Sequence, residues 1–345
     1  MMDRILTQAI RLKASDVHVH AGLPVKMRVN GKLQALKMPP LEKEQAEQLA
    51  LEVLSTENLA WLDEHGDVDI AYEIPEVGRF RGNVYRQRGA VDAVFRAVPA
   101  RAASLEELGL PSVLARMATF HQGMVLLTGP AGCGKSSTMA ALVNLINEER
   151  RSHIITVEDP IEFIHPSKRC LVNQRQVRRH TESFASALRA ALREDPDILA
   201  IGELRDLETV SLALTAAETG HLVLATLHTG SVIRTVDRMV DVFPPRQQPQ
   251  ACAMLSESLR AVVSQRLVNG TDGGRLIPAV ELLIVTPAVS HLIRERKTHQ
   301  IHSVLQTGRA HGMCLLDDSL SGLVEAGSVS REEARRFAED PRRFA

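Results

Sequence analysis

One segment of the sequence has the residue types and spacing of a phosphate-binding loop. Residues 129–136 read GPAGCGKS, which satisfies the pattern G-x-x-x-x-G-K-[ST]. Glycines let successive backbone N–H groups turn toward phosphate oxygens, Lys135 would reach the β- and γ-phosphates, and the Ser136 hydroxyl would hold Mg²⁺. We therefore predict a nucleoside triphosphate site. Its binding residues would be Gly129, Pro130, Ala131, Gly132, Cys133, Gly134, Lys135, Ser136 and Ser137.

The elements on either side of this loop are those that its mechanism requires. Met124–Thr128 is a short apolar run typical of a buried strand, and Ser137–Ile146 has apolar residues at helical spacing. A strand, a glycine-rich loop and a helix N-terminus in this order direct backbone donors and the positive end of the helix dipole at an anion. A chance glycine-rich turn would not have both neighbours.

Acidic residues follow two further apolar runs. Glu158 and Asp159 come directly after Ile154–Val157, and Glu203 follows Ile198–Ile201 after one glycine. Ligands of a parallel sheet bind at the carboxyl ends of its strands. The first acidic pair could activate water or bind Mg²⁺, or it could only form a turn before the next proline. Glu203 could bind Mg²⁺ in place of the aspartate that usually ends such a strand.

Histidine and arginine residues complete the candidates. His228 follows the apolar run Leu222–Thr226, where it could sense the γ-phosphate or link the nucleotide to a neighbouring subunit, or be structural. A planar guanidinium stabilises the charge on a transferring phosphoryl group. Two candidate arginines lie in strand-like segments of the first hundred residues, and two lie four apart on one helical face. They are Arg81, Arg96, Arg189 and Arg193.

Composition argues against several classes of protein. The 345 residues carry a net charge of −1 and are 44% hydrophobic, so we expect two globular domains and no direct binding of nucleic acid. The 4 cysteines include no C-x-x-C pair, so their spacing supports no zinc or redox site. The sequence has no signal peptide and no apolar run of about 18 residues. We expect a cytoplasmic protein that reaches a membrane only through partners.

The pattern of apolar residues divides the chain into parts. In residues 1–98, segments with alternating apolar and polar residues are typical of antiparallel strands, and Asn30-Gly31 is typical of a hairpin turn. Together with helical runs, these segments predict an α+β domain. Residues 99–112 are a candidate linker. In residues 113–286, apolar strand runs alternate with helices, which predicts an α/β core with a parallel sheet. Residues 287–345 have no strand run and predict a helical C-terminal region.

Four sequence blocks resemble those of the type II/IV secretion ATPase superfamily, and within it those of the type IV pilus retraction ATPases. Residues 129–136 match the Walker A loop, 155–162 (ITVEDPIE) the aspartate box, 190–206 (AALREDPDILAIGELRD) the Walker B block, and 214–229 the histidine box. The resemblance extends from Ser15 to the C-terminal region. It implies an α/β fold with a RecA-like P-loop ATPase core, a smaller N-terminal PAS-like domain, and hydrolysis of ATP with Mg²⁺ coupled to mechanical work.

The resemblance also implies a role for each matching residue. Glu158 corresponds to the catalytic glutamate that polarises the attacking water, Glu203 to the Walker B glutamate at Mg²⁺, and His228 to the histidine-box residue. Ser136 would be the second residue at the metal. The arginines that would approach the phosphates, the first two from the N-terminal domain, are Arg81, Arg96, Arg189 and Arg193.

Partners follow from the same resemblance. It implies a homo-hexameric ring that powers pilus retraction, and hence twitching motility, by rotation of the domains about residues 99–103. The ring would act at the cytoplasmic face of the inner membrane on the pilus platform protein and the assembly machinery. A paralogous ATPase could be a further partner.

Three alternative functions stay open. An accessory retraction paralogue is one, because residues 288–295 read AVSHLIRE where retraction ATPases carry AIRNLIRE. Another secretion or DNA-transfer ATPase is the second, although secretion motors usually have an additional N-terminal domain and often a four-cysteine motif, and the sequence shows neither. A low-turnover regulatory module is the third, and the presence of both Glu158 and Glu203 argues against it.

Overall fold

The computed structural model describes residues 1–29, 31–98, 101–272 and 274–345. In these ranges the chain divides into two compact units, Met1–Arg101 and Ala102–Ala345. Two predictions fall partly outside the described residues. They are the hairpin turn, which includes Asn30, and the rotation about residues 99–103, which includes Pro99 and Ala100.

The first unit is an antiparallel sheet of six strands with three helices. Its strands, in the sheet order β3-β2-β1-β6-β5-β4, are β1 (Asp16–Val19), β2 (Lys26–Val29), β3 (Lys32–Ala35), β4 (Asp67–Ile74), β5 (Gly78–Gln87) and β6 (Ala90–Val98). Its helices are α1 (Met2–Arg11), α2 (Lys43–Leu51) and α3 (Thr56–His65). This agrees with the antiparallel strands and helical runs expected from the alternation of apolar residues.

One face of this sheet is apolar and the other is charged. Phe80, Val84 and Phe95 are buried in the core of the unit. Because successive side chains of a strand point to opposite faces, Arg81 and Arg96 lie on the other face, and both are exposed. The sheet therefore presents basic side chains on a rigid surface.

The second unit is built on a mixed sheet of seven strands in the order β13-β12-β7-β11-β10-β8-β9. The strands are β7 (Gly123–Thr128), β8 (His153–Glu158), β9 (Leu171–Gln176), β10 (Ile198–Ile201), β11 (Leu222–Leu227), β12 (Leu259–Asn269) and β13 (Leu276–Ile284). The helices are α4 (Lys135–Glu149), α5 (Phe184–Ala191), α6 (Leu207–Glu218), α7 (Val232–Asp241), α8 (Gln248–Ser258), α9 (Pro287–Arg294), α10 (Ile301–Thr307), α11 (Leu316–Glu325) and α12 (Arg331–Phe337).

The sheet differs from the expected parallel one at its edges. The four predicted strands, β7, β8, β10 and β11, form its parallel centre. Strand β12 is parallel to β7, but β13 returns antiparallel to β12. The expectation of a parallel sheet is therefore corrected to a mixed one. Strand β9 is a polar edge strand, so no apolar run marks it in the sequence.

The C-terminal residues form helices, as predicted, and they cover the β12–β13 hairpin. Leu320 on α11 and Ala334 on α12 are fully buried in a small core with Val268 of β12 and Ala279 of β13. The backbone N–H of Val280 also donates to the Ser319 hydroxyl at 3.1 Å. Burial of this edge protects it from pairing with another chain.

Glu281 of β13 makes the stability of the second unit depend on pH. Its buried carboxylate accepts a hydrogen bond from the N–H of Val232, at the start of α7, at 2.8 Å. Burial raises the pKa of Glu281 from 4.5 to about 7. Because the folded pKa lies above the unfolded one, the stabilisation is fully present below pH 4.5 and is lost as the pH rises through about 7.

We expect Glu281→Gln to abolish this pH dependence. The pKa difference corresponds to about 3 kcal/mol in the free energy of unfolding. Urea denaturation at pH 5 and pH 8 would measure it, with Glu325→Gln, at an exposed position of α11, as the matched control. An unchanged difference between the two pH values in Glu281→Gln would assign the dependence to other groups.

Candidate active site

The glycine-rich loop connects β7 to α4 and turns against β12. Gly129, Gly132 and Gly134 have φ values of +140°, +75° and +90°, which favour glycine. A Cβ on Gly129 would lie 2.4 Å from the carbonyl oxygen of Gln265 and 2.5 Å from Sγ of Cys133. Glycine is therefore needed in this loop for both backbone conformation and packing.

Lys135, the first residue of α4, is held at this loop. Its Nζ donates to the carbonyl oxygens of Gly129 at 2.9 Å and Pro130 at 3.0 Å. Burial lowers the pKa of the Lys135 ammonium, while nearby carboxylates, including that of Glu203, oppose this change. The ammonium can exchange its two carbonyl partners for phosphate oxygens without leaving the loop.

Three further side chains connect Lys135 to the end of β10. Nδ1 of His228 lies 3.4 Å from Nζ of Lys135, and Nε2 of the same ring lies 3.4 Å from Oε1 of Glu203. The other carboxylate oxygen of Glu203 lies 2.7 Å from a terminal nitrogen of Arg205. The structure thus brings together three predicted residues. Arg205 was not predicted, because an arginine two positions beyond a candidate ligand has no distinguishing pattern.

Glu158 ends β8 beside the same strand. Its Oε1 accepts hydrogen bonds from the Thr156 hydroxyl at 2.6 Å and from Nε2 of Gln174 at 3.1 Å. Burial raises the pKa of Glu158, and these two hydrogen bonds partly oppose the shift. A positioned carboxylate with a raised pKa is suited to accept a proton from water.

The two glutamates lie at the carboxyl ends of adjacent parallel strands, Glu158 as the last residue of β8 and Glu203 two residues after β10. Val157 is the register partner of Ile201, and the N–H of Gly202 donates to the carbonyl oxygen of Val157 at 2.8 Å. A Cβ on Gly202 would lie 3.3 Å from Cα of Glu158. Glycine at this position therefore allows the close approach of the segments that carry Glu158 and Glu203.

The oxygen donors at this edge fit Mg²⁺. Ser136 is exposed in the first turn of α4, and the Glu203 carboxylate is 17% exposed. In the described ranges, no three His, Cys, Asp or Glu residues cluster as ligands of a metal ion. Mg²⁺ in nucleotide sites is typically bound by one or two protein oxygens together with phosphates and water. Ser136 and Glu203 are a donor set of that kind.

The first unit carries the first pair of candidate arginines. Arg81 and Arg96 are direct partners on β5 and β6. They line a concavity of about 280 Å³ on the charged face of the sheet, whose lining residues are Asp16, Asp69, Arg81, Asn83, Val94 and Arg96. The structure thus places these two arginines side by side on one surface.

The second pair does not join the loop of its own chain. Arg189 on α5 is exposed and pairs with Glu208 on α6. Arg193 is exposed just beyond α5, near Asp195, whose carbonyl oxygen lies 3.0 Å from Nδ1 of His153 at the start of β8. The phosphate-binding loop follows β7 at the carboxyl ends of the parallel strands, whereas Arg193 precedes β10 at their amino ends. Within the part of the chain that is described, no hydrogen bond or ion pair connects either arginine to residues 129–136.

Comparison with known proteins decides the family. A family model described as "Type II/IV secretion system protein" matches residues 1–342. The chain belongs to this family. It is 48% identical over 340 residues to the type IV pilus retraction ATPase PilT of Pseudomonas aeruginosa, covering 99% of this chain and 98% of that protein. It is also 46% identical over 340 residues to a twitching motility protein of Neisseria gonorrhoeae, covering 99% and 91%.

A solved structure of a related protein has the same fold as this chain. A crystal structure of the pilus retraction motor PilT with bound ADP matches with a TM-score of 0.91 and 44% identity, over 99% of this chain and 97% of that one. These matches confirm the predicted family, the α/β fold with a P-loop ATPase core, and the class of enzyme, an ATPase. In the residues that the structure describes, no helix is long and apolar enough to cross a membrane.

Proposed function

We propose that this chain is the ATP-hydrolysing motor that powers type IV pilus retraction, and with it twitching motility. The similarity to a retraction ATPase over nearly the full length of both chains carries the proposal. The site supports it, because the phosphate-binding loop, both glutamates and the histidine are present in suitable positions. In this proposal the seven predicted catalytic residues and the nine nucleotide-binding residues keep the roles stated above.

The geometry suggests how the chain would hydrolyse ATP. Lys135 exchanges the carbonyl oxygens of its loop for the β- and γ-phosphates, and backbone N–H groups at the start of α4 bind the remaining oxygens. Ser136 and Glu203 would hold Mg²⁺, which would supply positive charge to neutralise the phosphates. The raised pKa of Glu158 suits it to take the proton of the attacking water, and that proton is released with the products.

In this proposal His228 senses the state of the γ-phosphate. It lies between Lys135 and Glu203, and both of these would shift toward the nucleotide. The next residue, Thr229, has its hydroxyl 2.7 Å from the hydroxyl of Thr235 on α7. The backbone from His228 to Thr229 and the hydrogen bond from Thr229 to Thr235 would connect a movement of His228 to α7.

The position of the second arginine pair supports a shared active site. Arg189 and Arg193 are exposed, and among the described residues neither has a hydrogen bond or ion pair with its own phosphate-binding loop. We therefore assign them to the nucleotide of a neighbouring subunit in a homo-hexamer. Arg81 and Arg96 would approach the phosphates from the N-terminal domain. A ring of identical subunits with head-to-tail contacts provides every site with the same arginines.

The remaining assignments belong to the same proposal. The organisation is an N-terminal PAS-like domain (1–98), a linker (99–112), a RecA-like core (113–286) and a helical C-terminal region (287–345). The hexamer works at the cytoplasmic face of the inner membrane, on the platform protein and the pilus assembly machinery, with a paralogous ATPase as an optional partner and without direct binding of nucleic acid or lipid.

A mixing experiment tests the shared site. Arg193→Ala and Glu158→Gln should each be nearly inactive alone. In randomly mixed rings, about a quarter of the sites would combine an intact Glu158 with an intact neighbouring Arg193, so about a quarter of the wild-type ATPase rate should return. A mixture of Glu158→Gln and Glu203→Gln is the matched control and should stay inactive, because both glutamates belong to one subunit. If the first mixture also stays inactive, Arg193 does not act in a neighbouring site.

A complementation experiment tests the biological role. In a piliated bacterium that lacks its retraction ATPase, the wild-type chain should restore twitching, and Glu158→Gln at equal abundance should not. Restoration only when the principal motor is also present would replace this proposal by that of an accessory motor. Active ATP hydrolysis without any restoration would indicate another secretion ATPase.

The sequence of α9 keeps open the alternative that this chain is an accessory retraction ATPase. Ser290 and His291 stand where retraction ATPases carry Arg-Asn. The hydroxyl of Ser290 donates a hydrogen bond to the carbonyl oxygen of Ser256 on α8, whereas His291 is exposed. The substitution thus changes both the packing of α9 and its surface, while Val289 and Ile293 remain buried.

A further inference from the structure

Four charged side chains form a row across the sheet of the first unit. Asp16 on β1 has two direct cross-strand partners, Arg28 on β2 and Arg96 on β6, and Arg96 is in turn the partner of Arg81 on β5. Directly opposed side chains lie on the same face, and like charges in this position repel. The two adjacent arginines therefore have an unfavourable interaction, which the carboxylate of Asp16 is placed to offset.

Asp16 contacts Arg96 in a specific way. The residue is only 7% exposed, and its Oδ1 accepts a hydrogen bond from Nε of Arg96 at 2.9 Å. Its Oδ2 accepts one from the Ser15 hydroxyl at 2.8 Å and lies 3.6 Å from Nε of Arg28. The contact with Arg96 uses Nε, and among the described residues its two terminal amino groups have no hydrogen-bond partner. The arginine side chain is 70% exposed.

A buried partner of this kind restricts an otherwise mobile side chain. An exposed arginine has about 2 kcal/mol of rotamer entropy to lose when it binds a phosphate. A carboxylate that is itself held by the strand and by Ser15 removes much of that freedom before the ligand arrives. The remaining donors then project from a rigid sheet, which is the arrangement that favours stabilisation of a transition state.

We propose that Asp16 is a positioning residue for ATP hydrolysis, which holds Arg96 through Nε and so keeps its terminal amino groups available to bind the phosphates. This inference rests on the proposed role of Arg96. Asp16 itself does not touch the nucleotide in this proposal.

The test compares two neighbouring carboxylates. Asp16→Asn keeps the size of the side chain but weakens its hold on Arg96, so kcat should fall by about tenfold to a hundredfold with little change in KM for ATP. Asp69→Asn removes the same charge from the same concavity, but Asp69 accepts its hydrogen bond from Nδ2 of Asn83, at 3.1 Å, and should keep the wild-type kcat. Equal losses of kcat in both variants would indicate a general effect of charge and overturn the proposal.

Further variants separate this inference from the role of Arg96. Arg96→Ala should lower kcat at least as much, and adding Asp16→Asn to it should cause no further loss. If Arg96→Ala keeps the wild-type kcat, the proposed role of Arg96 is wrong. If Arg96→Ala is slow but Asp16→Asn is not, or if the double variant is slower than Arg96→Ala, the positioning role is wrong.

A variant of the exposed Arg96 keeps the proposal testable if Asp16→Asn does not fold. Arg96→Lys keeps the positive charge, but a single ammonium cannot bind Asp16 and also present two amino groups. It should fold normally and lose kcat to about the same extent as Asp16→Asn. Thermal unfolding midpoints would verify the fold of each variant. A wild-type kcat in Arg96→Lys would overturn the proposal even if Asp16→Asn does not fold.

Discussion

Replacing Glu158 by glutamine should lower the ATPase rate by about a hundredfold to ten thousandfold, the usual contribution of a general base. The amide keeps the shape of the side chain and can still accept a hydrogen bond from the Thr156 hydroxyl. It cannot accept the proton of the attacking water. ATP binding should change little, because Lys135 and the backbone of the loop are unaffected. Steady-state phosphate release and binding of a fluorescent ATP analogue measure the two quantities separately.

Asp159→Asn is the matched control for this prediction. Asp159 is the next residue, but it is exposed, whereas Glu158 is half-buried and bound by Thr156 and Gln174. The control should hydrolyse ATP at nearly the wild-type rate. Hydrolysis near the wild-type rate in Glu158→Gln, or a loss in Asp159→Asn instead, would move the role of the base to another residue.

Lys135→Ala should weaken ATP binding by about tenfold to a hundredfold and nearly abolish hydrolysis. Hydrogen bonds to charged groups are worth about 1.5–3 kcal/mol, which sets the size of the loss of affinity. The larger loss of rate is expected because charge on the transferred phosphoryl group grows in the transition state. Isothermal titration with a non-hydrolysable ATP analogue would measure the affinity, and phosphate release would measure the rate.

Lys168→Ala provides the comparison for this variant. Lys168 is exposed and bound to Glu148 near the other end of α4, with Nζ 2.6 Å from Oε1. Its removal takes away the same charge from the same unit without touching the loop. Equal effects of the two substitutions would show that net charge, rather than contact with phosphate, determines binding.

Some of this site could be predicted because its chemistry is local in the chain. The phosphate-binding loop needs only glycines, a lysine and the start of a helix, all of which are consecutive in residues 129–136. The apolar runs before Glu158, Glu203 and His228 marked strands of a sheet core, and residues that follow such strands converge at one edge. Resemblance to a known family then supplied roles for these residues that spacing alone had left open.

Other features depend on segments that are far apart in the sequence. Gln174 lies on a polar edge strand, and Gln265 lies in a hairpin at the other side of the sheet, where it limits the space at Gly129 and accepts a hydrogen bond from the Thr138 hydroxyl at 2.8 Å. Asp16 has ordinary neighbours in the chain. It gains Arg28 and Arg96 as partners only when β1 pairs with β2 and β6 in this register.

The family, the class of enzyme and the phosphate-binding loop follow from the sequence, because these depend on short patterns whose physical requirements are local. The partners of the charged groups depend instead on the tertiary structure. It brought Glu203 to His228 and placed Asp16 between Arg28 and Arg96. The physical reason is that burial and charge pairing depend on distances across the sheet, which strand order and register set and which spacing along the chain does not contain.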